Sequence, residues 1–196
     1  MDMYNIWLVN TISAQSRVLA VPGQGDRDAI AFGVQNGFIP IVQKANPAFG
    51  GANVRWLVCP ITQLIQPHEL IVYFVVRRSD TVLRTIEGAT ASVDAGGYTV
   101  SLKNGLRASE MYADAGSSDL LARLTLHELM HNKLMLGDNM HDPAVGGGGI
   151  AKQSIGVTDD LTQKNIDLMG QHLRDRIPQW AGGCDSNFDP LRGLLN

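Results

Sequence analysis

Apolar runs along the chain predict a set of β-strands before any chemistry is considered. Short apolar segments predict strands at residues 4–9, 54–59 and 70–76. The last of these reads Leu-Ile-Val-Tyr-Phe-Val-Val, and such a run without polar alternation is typical of a strand buried on both faces. It is therefore expected at the centre of the sheet. Residues 91–94 and 98–102 flank a turn-forming Ala-Gly-Gly sequence and predict a hairpin.

Two predicted helices lie toward the two ends of the chain. Asp26 can cap a helix that runs from residue 27 to about residue 44. Asp160 and Gln163 have the spacing of a capping box, and they predict a last helix that continues to Arg176. Inside the first helix two residues disfavour helical backbone and are expected to break or kink it, Gly37 and Pro40.

The most apolar helical segment lies between these two helices and is expected to be buried. Cap candidates precede it at residues 117–119, and Gly137 is the expected stop, which gives a helix of about 18 residues. Its apolar side chains fall on several helical faces, as in a helix surrounded by core. They are Leu120, Leu121, Leu124, Leu126, Leu129, Met130 and Leu134.

The order of these elements predicts an α+β fold, with a mixed or antiparallel twisted sheet packed on helices. At 196 residues and 44% apolar content, the chain has the size of one domain, residues 1–196, with a substantial core. Cys59 and Cys184 are the only cysteines in the sequence. They permit one disulfide and require none, and a reduced, buried Cys59 is the preferred interpretation.

Charge and hydropathy narrow the classes of partner. The net charge is −3, and the basic residues are scattered apart from Arg77-Arg78, so nucleic acid is not an expected partner. No apolar run approaches the roughly 18 residues of a membrane span, and residues 1–10 lack the basic region of an export signal. A mature fragment, a domain of a longer protein or an injected effector would begin in the same way. The localisation therefore stays open.

The candidate chemistry lies inside the apolar helical segment, where His127 and His131 are four residues apart and Glu128 follows the first histidine. On a helix such residues are about 5–6 Å apart at Cβ, so both imidazoles can reach one Zn²⁺ at about 2.0–2.1 Å. A metal acidifies a bound water, and a neighbouring carboxylate can take its proton. An incidental surface cluster is the alternative, and the apolar helix leaves little surface for it.

The His-Glu-x-x-His pattern resembles the active-site helix of the zincin metallopeptidases. The resemblance implies a zincin-like fold, a zinc cofactor bound by His127 and His131, and Glu128 as the general base. It also implies a protein or peptide substrate, with an endopeptidase favoured over an exopeptidase. An inhibitor or immunity protein is not identified by the sequence.

A catalytic zinc usually has three protein ligands, so the pattern needs a third. No glutamate follows Glu128, which disfavours the gluzincin branch, whose third ligand is a downstream glutamate. The metzincin branch extends the pattern with a glycine and a third histidine. Gly137 with His141 resembles that device displaced by about one helical turn. His141 is the expected third ligand, and Asp138 or Asp142 is the alternative, as in the aspartate-ligand zincins.

Two other functions stay open at this stage. The first is a non-catalytic, zinc-stabilised binding or toxin-delivery module, which would have four protein ligands and no open position on the metal. The second is a metal-free α+β interaction domain. The four glycines at residues 146–149 are expected to form a mobile loop beside the cleft, because no Walker-type lysine follows them. His68, His172 and Tyr112 are expected to be structural rather than catalytic.

Overall fold

The structure is a computed structural model that describes residues 3–10, 24–58, 69–75, 96–101, 107–134 and 137–173. Its strands are β1 (Tyr4–Asn10), β2 (Ala52–Val58), β3 (Glu69–Val75), β4 (Gly97–Ser101) and β5 (Arg107–Tyr112). Its α-helices are α1 (Gln24–Ala45), α2 (Ser118–Leu134), α3 (Pro143–Gly146) and α4 (Gln163–His172). Short 3₁₀ helices lie at Ala113–Ala115, Gly137–His141 and Gly149–Ala151.

The described strands form one mixed sheet in the order β2-β1-β3-β5-β4. The pairs β1–β2, β1–β3 and β3–β5 are parallel, and β4 pairs antiparallel with β5. Among the described strands, the central position predicted for β3 is confirmed. Of the two sheet types that the sequence left open, mixed and antiparallel, the structure has the mixed one. Helices and sheet together are compatible with the predicted α+β class. No described helix has the length and apolar character needed to span a bilayer.

The core forms where α1 and α2 pack on each other and on the sheet. Side chains of α1 at helical spacing, among them Ile30, Val34 and Phe38, are fully buried together with Ile6 and Leu8 of β1. Each fully buried side chain of this size contributes about 1.5–3 kcal/mol through its removal from water. The expected burial of α2 is confirmed, since most of its apolar side chains belong to this core.

The sequence predicted a break or a kink at Gly37 and Pro40, and a break is wrong, because α1 continues through both residues. The kink stays a prediction. A proline inside a helix costs about 3 kcal/mol, and burial of the adjacent Phe38, Ile41 and Val42 offsets that cost. The helix also begins earlier than expected, at Gln24, so the predicted cap residue Asp26 lies inside its first turn.

Two glycines of α1 set how closely α2 approaches. A Cβ at Gly33 would lie 2.7 Å from the Cβ of Ala122, and a Cβ at Gly37 would lie 2.5 Å from Cδ1 of Leu126. The two contacts are spaced by one turn on each helix, so the backbones cross where neither Gly33 nor Gly37 has a side chain. This crossing fixes the position of the helix that carries both histidines.

One strand of the predicted hairpin is present, and it pairs with a strand that the sequence did not predict. β4 matches the predicted segment 98–102, but its partner is β5, which the apolar pattern did not indicate. β5 reads Arg-Ala-Ser-Glu-Met-Tyr and has no regular alternation of apolar and polar residues, so pattern alone gave it no strand character. The predicted first strand at residues 91–94 lies outside the described residues, as do Cys59, Cys184 and His68.

The last helix begins at a different capping box from the predicted one. Thr162 is the N-cap of α4 and pairs reciprocally with Asn165. Asp160 instead forms an ion pair with Arg123 of α2 at 2.9 Å. Only the residue directly before the first helical turn has its side chain within reach of the N3 backbone, and that residue is Thr162. The predicted end at Arg176 lies outside the described residues.

The α1–α2 crossing gives a stability prediction for Gly33→Ala. The added methyl group meets the Cβ of Ala122, which has no rotamer to move away, so one helix must shift. Overpacking of this kind costs about 1–3 kcal/mol. Gly25→Ala is the matched control, because nothing lies within 4 Å of the new Cβ there. Urea unfolding is expected to show Gly33→Ala as the less stable variant, and equal stability of the two would contradict the crossing.

Candidate metal centre

Helix α2 places His127 and His131 on one face, one turn apart. Their Nε2 atoms are 3.2 Å apart, and their ring centroids are 4.7 Å apart with the planes nearly perpendicular. Two nitrogens that bind one tetrahedral zinc at about 2.0–2.1 Å lie about 3.3–3.4 Å from each other. The observed separation is close to that value, so the two imidazoles already have the geometry of a chelating pair.

His141 joins this pair through the short helix that follows α2. Gly137 adopts φ = 52° and begins the 3₁₀ helix that ends at His141. The His141 ring centroid lies 5.3 Å from that of His127 and 5.1 Å from that of His131. The ligand atoms of the three side chains all lie within 4.8 Å of one another, close enough to bind one metal ion. The predicted three histidines are therefore brought together.

A hydrogen bond outside the cluster fixes the tautomer of His127. Its Nδ1 lies 2.6 Å from the carbonyl oxygen of Ile150. A carbonyl only accepts, so Nδ1 carries the proton and Nε2 carries a lone pair. A hydrogen bond to the backbone of Gly137 raises the pKa of His131 against the effect of burial. The Nε2 atoms of His127 and His131 face each other at 3.2 Å, and in the tautomer that leaves a lone pair on both, a shared cation would stabilise them.

The ring nitrogen Nε2 of His141 gives a second indication that this cluster can bind a cation. Its Nε2 is buried, and it has no hydrogen-bond partner in the described part of the chain. Buried polar atoms in proteins are nearly always satisfied, by protein, by water or by an ion. A metal ion bound by all three nitrogens would satisfy Nε2 of His141 and remove the repulsion between the other two rings. The residues present therefore fit a metal ion.

The glycine-rich segment positions the carbonyl that orients His127. Gly147, Gly148 and Gly149 have φ values of 87°, 68° and 57°, which L side chains rarely adopt. The side chain of Asn165 on α4 donates to the carbonyls of Gly146 and Gly148, at 2.5 and 3.1 Å. These four glycines thus form defined turns with support from another helix, and they lead directly into Ile150. Their predicted mobility stays a prediction.

Burial keeps the histidines neutral. Desolvation, with a smaller contribution from neighbouring histidines, lowers the pKa of His127 to about 3 and that of His131 to about 4. Burial also lowers the pKa of His141, although the nearby carboxylate of Asp138 opposes this. Metal binding requires the unprotonated imidazole. The metal-free cluster is therefore ready to bind a cation at neutral pH without losing protons first.

Glu128 is the residue after His127 on α2, and it is buried, with 4% of its surface exposed. Desolvation raises its pKa to about 8, and the charge of Glu110 adds to this, while a hydrogen bond from Thr99 opposes both. Thr99 Oγ1 donates to Glu128 Oε2 over 2.6 Å. A carboxyl group with a pKa near neutrality is suited to proton transfer, since it can both take and return a proton.

The alternative ligands do not join the described cluster. The carboxylate of Asp142 accepts from the backbone N–H of Ala144 and caps α3, and both Asp142 and Asp138 are exposed. His172 is not part of the group of residues that converge on one point. Tyr112 is fully buried, and its hydroxyl donates to Glu110 Oε1 at 2.8 Å. Tyr112 therefore lies in the core, and the structural role expected for His172 stays a prediction.

Sequence reasoning missed three groups that surround the site: Thr99, Ser109 and the carbonyl of Ile150. Thr99 and Ser109 lie directly opposite each other on β4 and β5, so they meet only through the register of that pair. β5 carries no apolar alternation that would have revealed the register. A backbone carbonyl has no sequence signal at all, although the run of glycines before Ile150 marked an unusual turn.

The raised pKa of Glu128 gives a pH prediction for the metal-free protein. The pKa of about 8 means that the folded protein keeps a proton on Glu128 up to about pH 8, whereas an unfolded chain releases it near the ordinary pKa of 4.5. The folded state thus binds more protons in this interval, and its stability falls as pH rises, by at most about 1.4 kcal/mol per pH unit. Glu128→Gln lacks this proton.

The measurement is urea unfolding of the parent and of Glu128→Gln with a chelator present, near pH 5 and near pH 8. These two conditions lie at the ends of the pH interval in which the folded and unfolded states differ in protonation of Glu128. Stability of the parent is expected to fall more than that of Glu128→Gln between the two conditions. Other titrating groups are shared by both proteins and cancel in the difference. An identical pH dependence would show that Glu128 is not protonated in the folded chain.

Comparison with protein-family models, with curated proteins and with solved structures found no match to this chain. No relative therefore assigns a role to any residue. The functional interpretation depends on the convergence of His127, His131 and His141, and on the buried Glu128 next to the first of them.

Proposed function

We propose that this protein is a zinc-dependent peptidase in which His127, His131 and His141 hold the metal and Glu128 is the general base. The convergence of three histidine nitrogens within 4.8 Å is the observation that carries the proposal. The spacing of the first two resembles the zincin active-site helix, and the displaced third histidine resembles the metzincin branch.

Zinc is the metal that this ligand set favours. Three imidazoles form a common zinc site, whereas magnesium and calcium prefer oxygen ligands. Among the described residues the converging group contains three side chains and no fourth histidine, cysteine or carboxylate. Catalytic zinc sites have three protein ligands and one open position, and structural sites are closed by four. This count favours an enzyme over a zinc-stabilised binding or delivery module.

In the proposed reaction the metal would act as a Lewis acid, and Glu128 would transfer the proton. A zinc ion held there would supply Lewis acidity, lowering the pKa of water and polarising a peptide carbonyl. Glu128 accepts a hydrogen bond at Oε2, and no hydrogen bond to its Oε1 is formed by any described residue. Oε1 is therefore the oxygen that takes a proton from the attacking water and returns it to the departing amine nitrogen.

Peptide bonds as the substrate follow from the zincin resemblance. The resemblance also favours cleavage within a chain over removal of terminal residues. Digestion of an unbiased peptide library by zinc-loaded protein, read by mass spectrometry, tests the reaction class. Products that carry new internal termini would support an endopeptidase, and intact peptides after digestion with stoichiometrically loaded protein would overturn the proposal.

The first prediction of this proposal concerns His141 as the third zinc ligand. His141→Ala removes one of three nitrogens and is expected to weaken zinc binding by far more than the about 10–100-fold typical of residues outside the ligand set. Asp138→Ala and Asp142→Ala are matched controls from the same segment, and both are expected to bind zinc nearly as tightly as the parent. Competition with a chromophoric chelator measures all four affinities. Loss of zinc in an aspartate variant, with His141→Ala unaffected, would replace the ligand assignment.

The second prediction separates metal binding from catalysis. Glu128→Gln is expected to keep the fold and one zinc per chain, because Glu128 is not among the converging ligands. Its rate of peptide cleavage is expected to fall about 10²–10⁴-fold, the usual contribution of a general base. Zinc stoichiometry and initial rates are measured on the same preparation. A glutamine variant that cleaves at the parent's rate would remove Glu128 from the mechanism.

A further inference from the structure

A chain of hydrogen bonds leads from the interior of the protein to the Glu128 carboxylate. Asn132 Nδ2 lies 3.0 Å from Ser109 Oγ, and Ser109 Oγ lies 2.8 Å from Thr99 Oγ1. Thr99 Oγ1 lies 2.6 Å from Glu128 Oε2. Asn132 and Glu128 are one turn apart on α2, so the chain leaves the helix, crosses the β4–β5 pair and returns to the same helix.

The chemistry of the two ends fixes the direction of every bond in the chain. An amide nitrogen such as Nδ2 of Asn132 only donates, and an ionised carboxylate only accepts. Where Glu128 is ionised, as proposed for the zinc-loaded protein, both hydroxyl groups between them therefore direct their protons toward Glu128. Thr99 Oγ1 lies 2.6 Å from Oε2 and 3.2 Å from the backbone oxygen of Glu128. Hydrogen bonds aligned in one direction polarise one another, so each hydroxyl strengthens the next bond toward the carboxylate.

Strand β4 is shaped around the Glu128 side chain at two positions of one face. A Cβ at Gly97 would lie 2.7 Å from Cγ of Glu128 and 2.8 Å from the backbone oxygen of Glu110. Only glycine leaves room for the carboxylate stem at that point. Thr99, two residues later on the same face, supplies the hydroxyl group that holds Oε2. Gly97 makes space for the Glu128 side chain, and Thr99 fixes the orientation of its carboxylate.

We propose that Thr99, supported by Ser109 and Asn132, is a positioning residue that holds Glu128 by Oε2 and leaves Oε1 to exchange the proton. This inference rests on the peptidase function proposed above. In the described contacts the Thr99 hydroxyl group bonds to Ser109 and Glu128 and to none of the proposed metal ligands. It acts through Glu128, because its hydroxyl group fixes the torsion of the carboxylate that would otherwise rotate about the Cγ–Cδ bond.

Thr99→Val is the principal variant, because valine keeps the shape and the β-branched backbone preference of threonine and removes only the donor. Its kcat is expected to fall about 10–100-fold, the usual effect of losing an orienting partner, with KM and zinc affinity close to those of the parent. The acid limb of the pH profile of kcat/KM is expected to move to higher pH, because an anion loses a hydrogen-bond donor.

Three further variants separate positioning from packing. Thr99→Ser restores the hydroxyl group without the methyl group and is expected to recover most of kcat. Ser109→Ala leaves Thr99 in place and is expected to cost less than Thr99→Val. Thr125→Val is the matched control, since the Thr125 hydroxyl donates at 2.7 Å to the carbonyl of Leu121 on the same helix and makes no described contact with Glu128. It is expected to keep the parent's kcat and pH profile.

A spectroscopic measurement tests the contact without any hydrolysis. The chain contains only four glutamates, so ¹³C labelling of glutamate carboxyl groups gives few resonances, and Glu128→Gln identifies that of Glu128. In zinc-loaded protein, Thr99→Val is expected to shift the Glu128 resonance, and Thr99→Ser and Thr125→Val are expected to leave it near its parent position. If Thr99→Val does not fold, Ser109→Ala is measured in its place and is expected to show a smaller shift.

The possible results distinguish the two proposals. A parent that cleaves peptides, together with unchanged kcat and an unchanged Glu128 resonance in Thr99→Val, overturns the positioning role and leaves the peptidase intact. A shifted resonance in a protein that cleaves no peptide confirms that Thr99 holds Glu128 and overturns the peptidase. A lower kcat that Thr99→Ser fails to restore assigns the effect to packing and also overturns the positioning role.

Discussion

The burial of a polar helix face is the constraint on which the rest of the structure depends. Helix α2 carries His127, Glu128 and Asn132 into the protein interior, where each is nearly or fully removed from water. Buried polar groups without partners cost several kcal/mol each, at roughly 2–7 kcal/mol per group. The surrounding elements supply those partners. The carbonyl of Ile150 bonds to His127, and Thr99 of β4 bonds to Glu128.

Burial lowers the pKa of the two histidines on this helix and raises the pKa of Glu128, and a bound divalent cation would compensate both effects. Removal from water disfavours every charge, so it lowers the pKa of His127 and His131 and raises that of Glu128. The histidines are thereby left in the form that binds metal. The carboxylate is left in the form that does not accept a proton, until a positive charge nearby favours its ionisation. Binding the metal would therefore switch on the base without any change in the fold.

The sequence specified the site's centre better than its surroundings. The spacing of His127 and His131 on an apolar helix is a local pattern, and His141 follows within one short turn, so all three could be named from the chain alone. The central strand was predictable for the same reason. Thr99 and Ser109 could not be predicted, because they meet only through the register of β4 and β5. Polar residues of β5 are buried, and its sequence has no apolar alternation that would have predicted a buried strand.

The third histidine and the carbonyl that orients the first one belong to a single stretch of chain, from Gly137 to Ala151. Its conformation includes several glycines with left-handed backbone and few core side chains, of which Met140, Ile150 and Ala151 are the fully buried ones. Fixing the backbone of such a stretch in one conformation has an entropic cost, and this cost would lower the affinity for a metal ion. Variants in which the stretch is less ordered are therefore expected to bind the ion more weakly. An ion bound by all three histidines would thus cross-link this stretch to α2, in addition to the chemistry proposed for it.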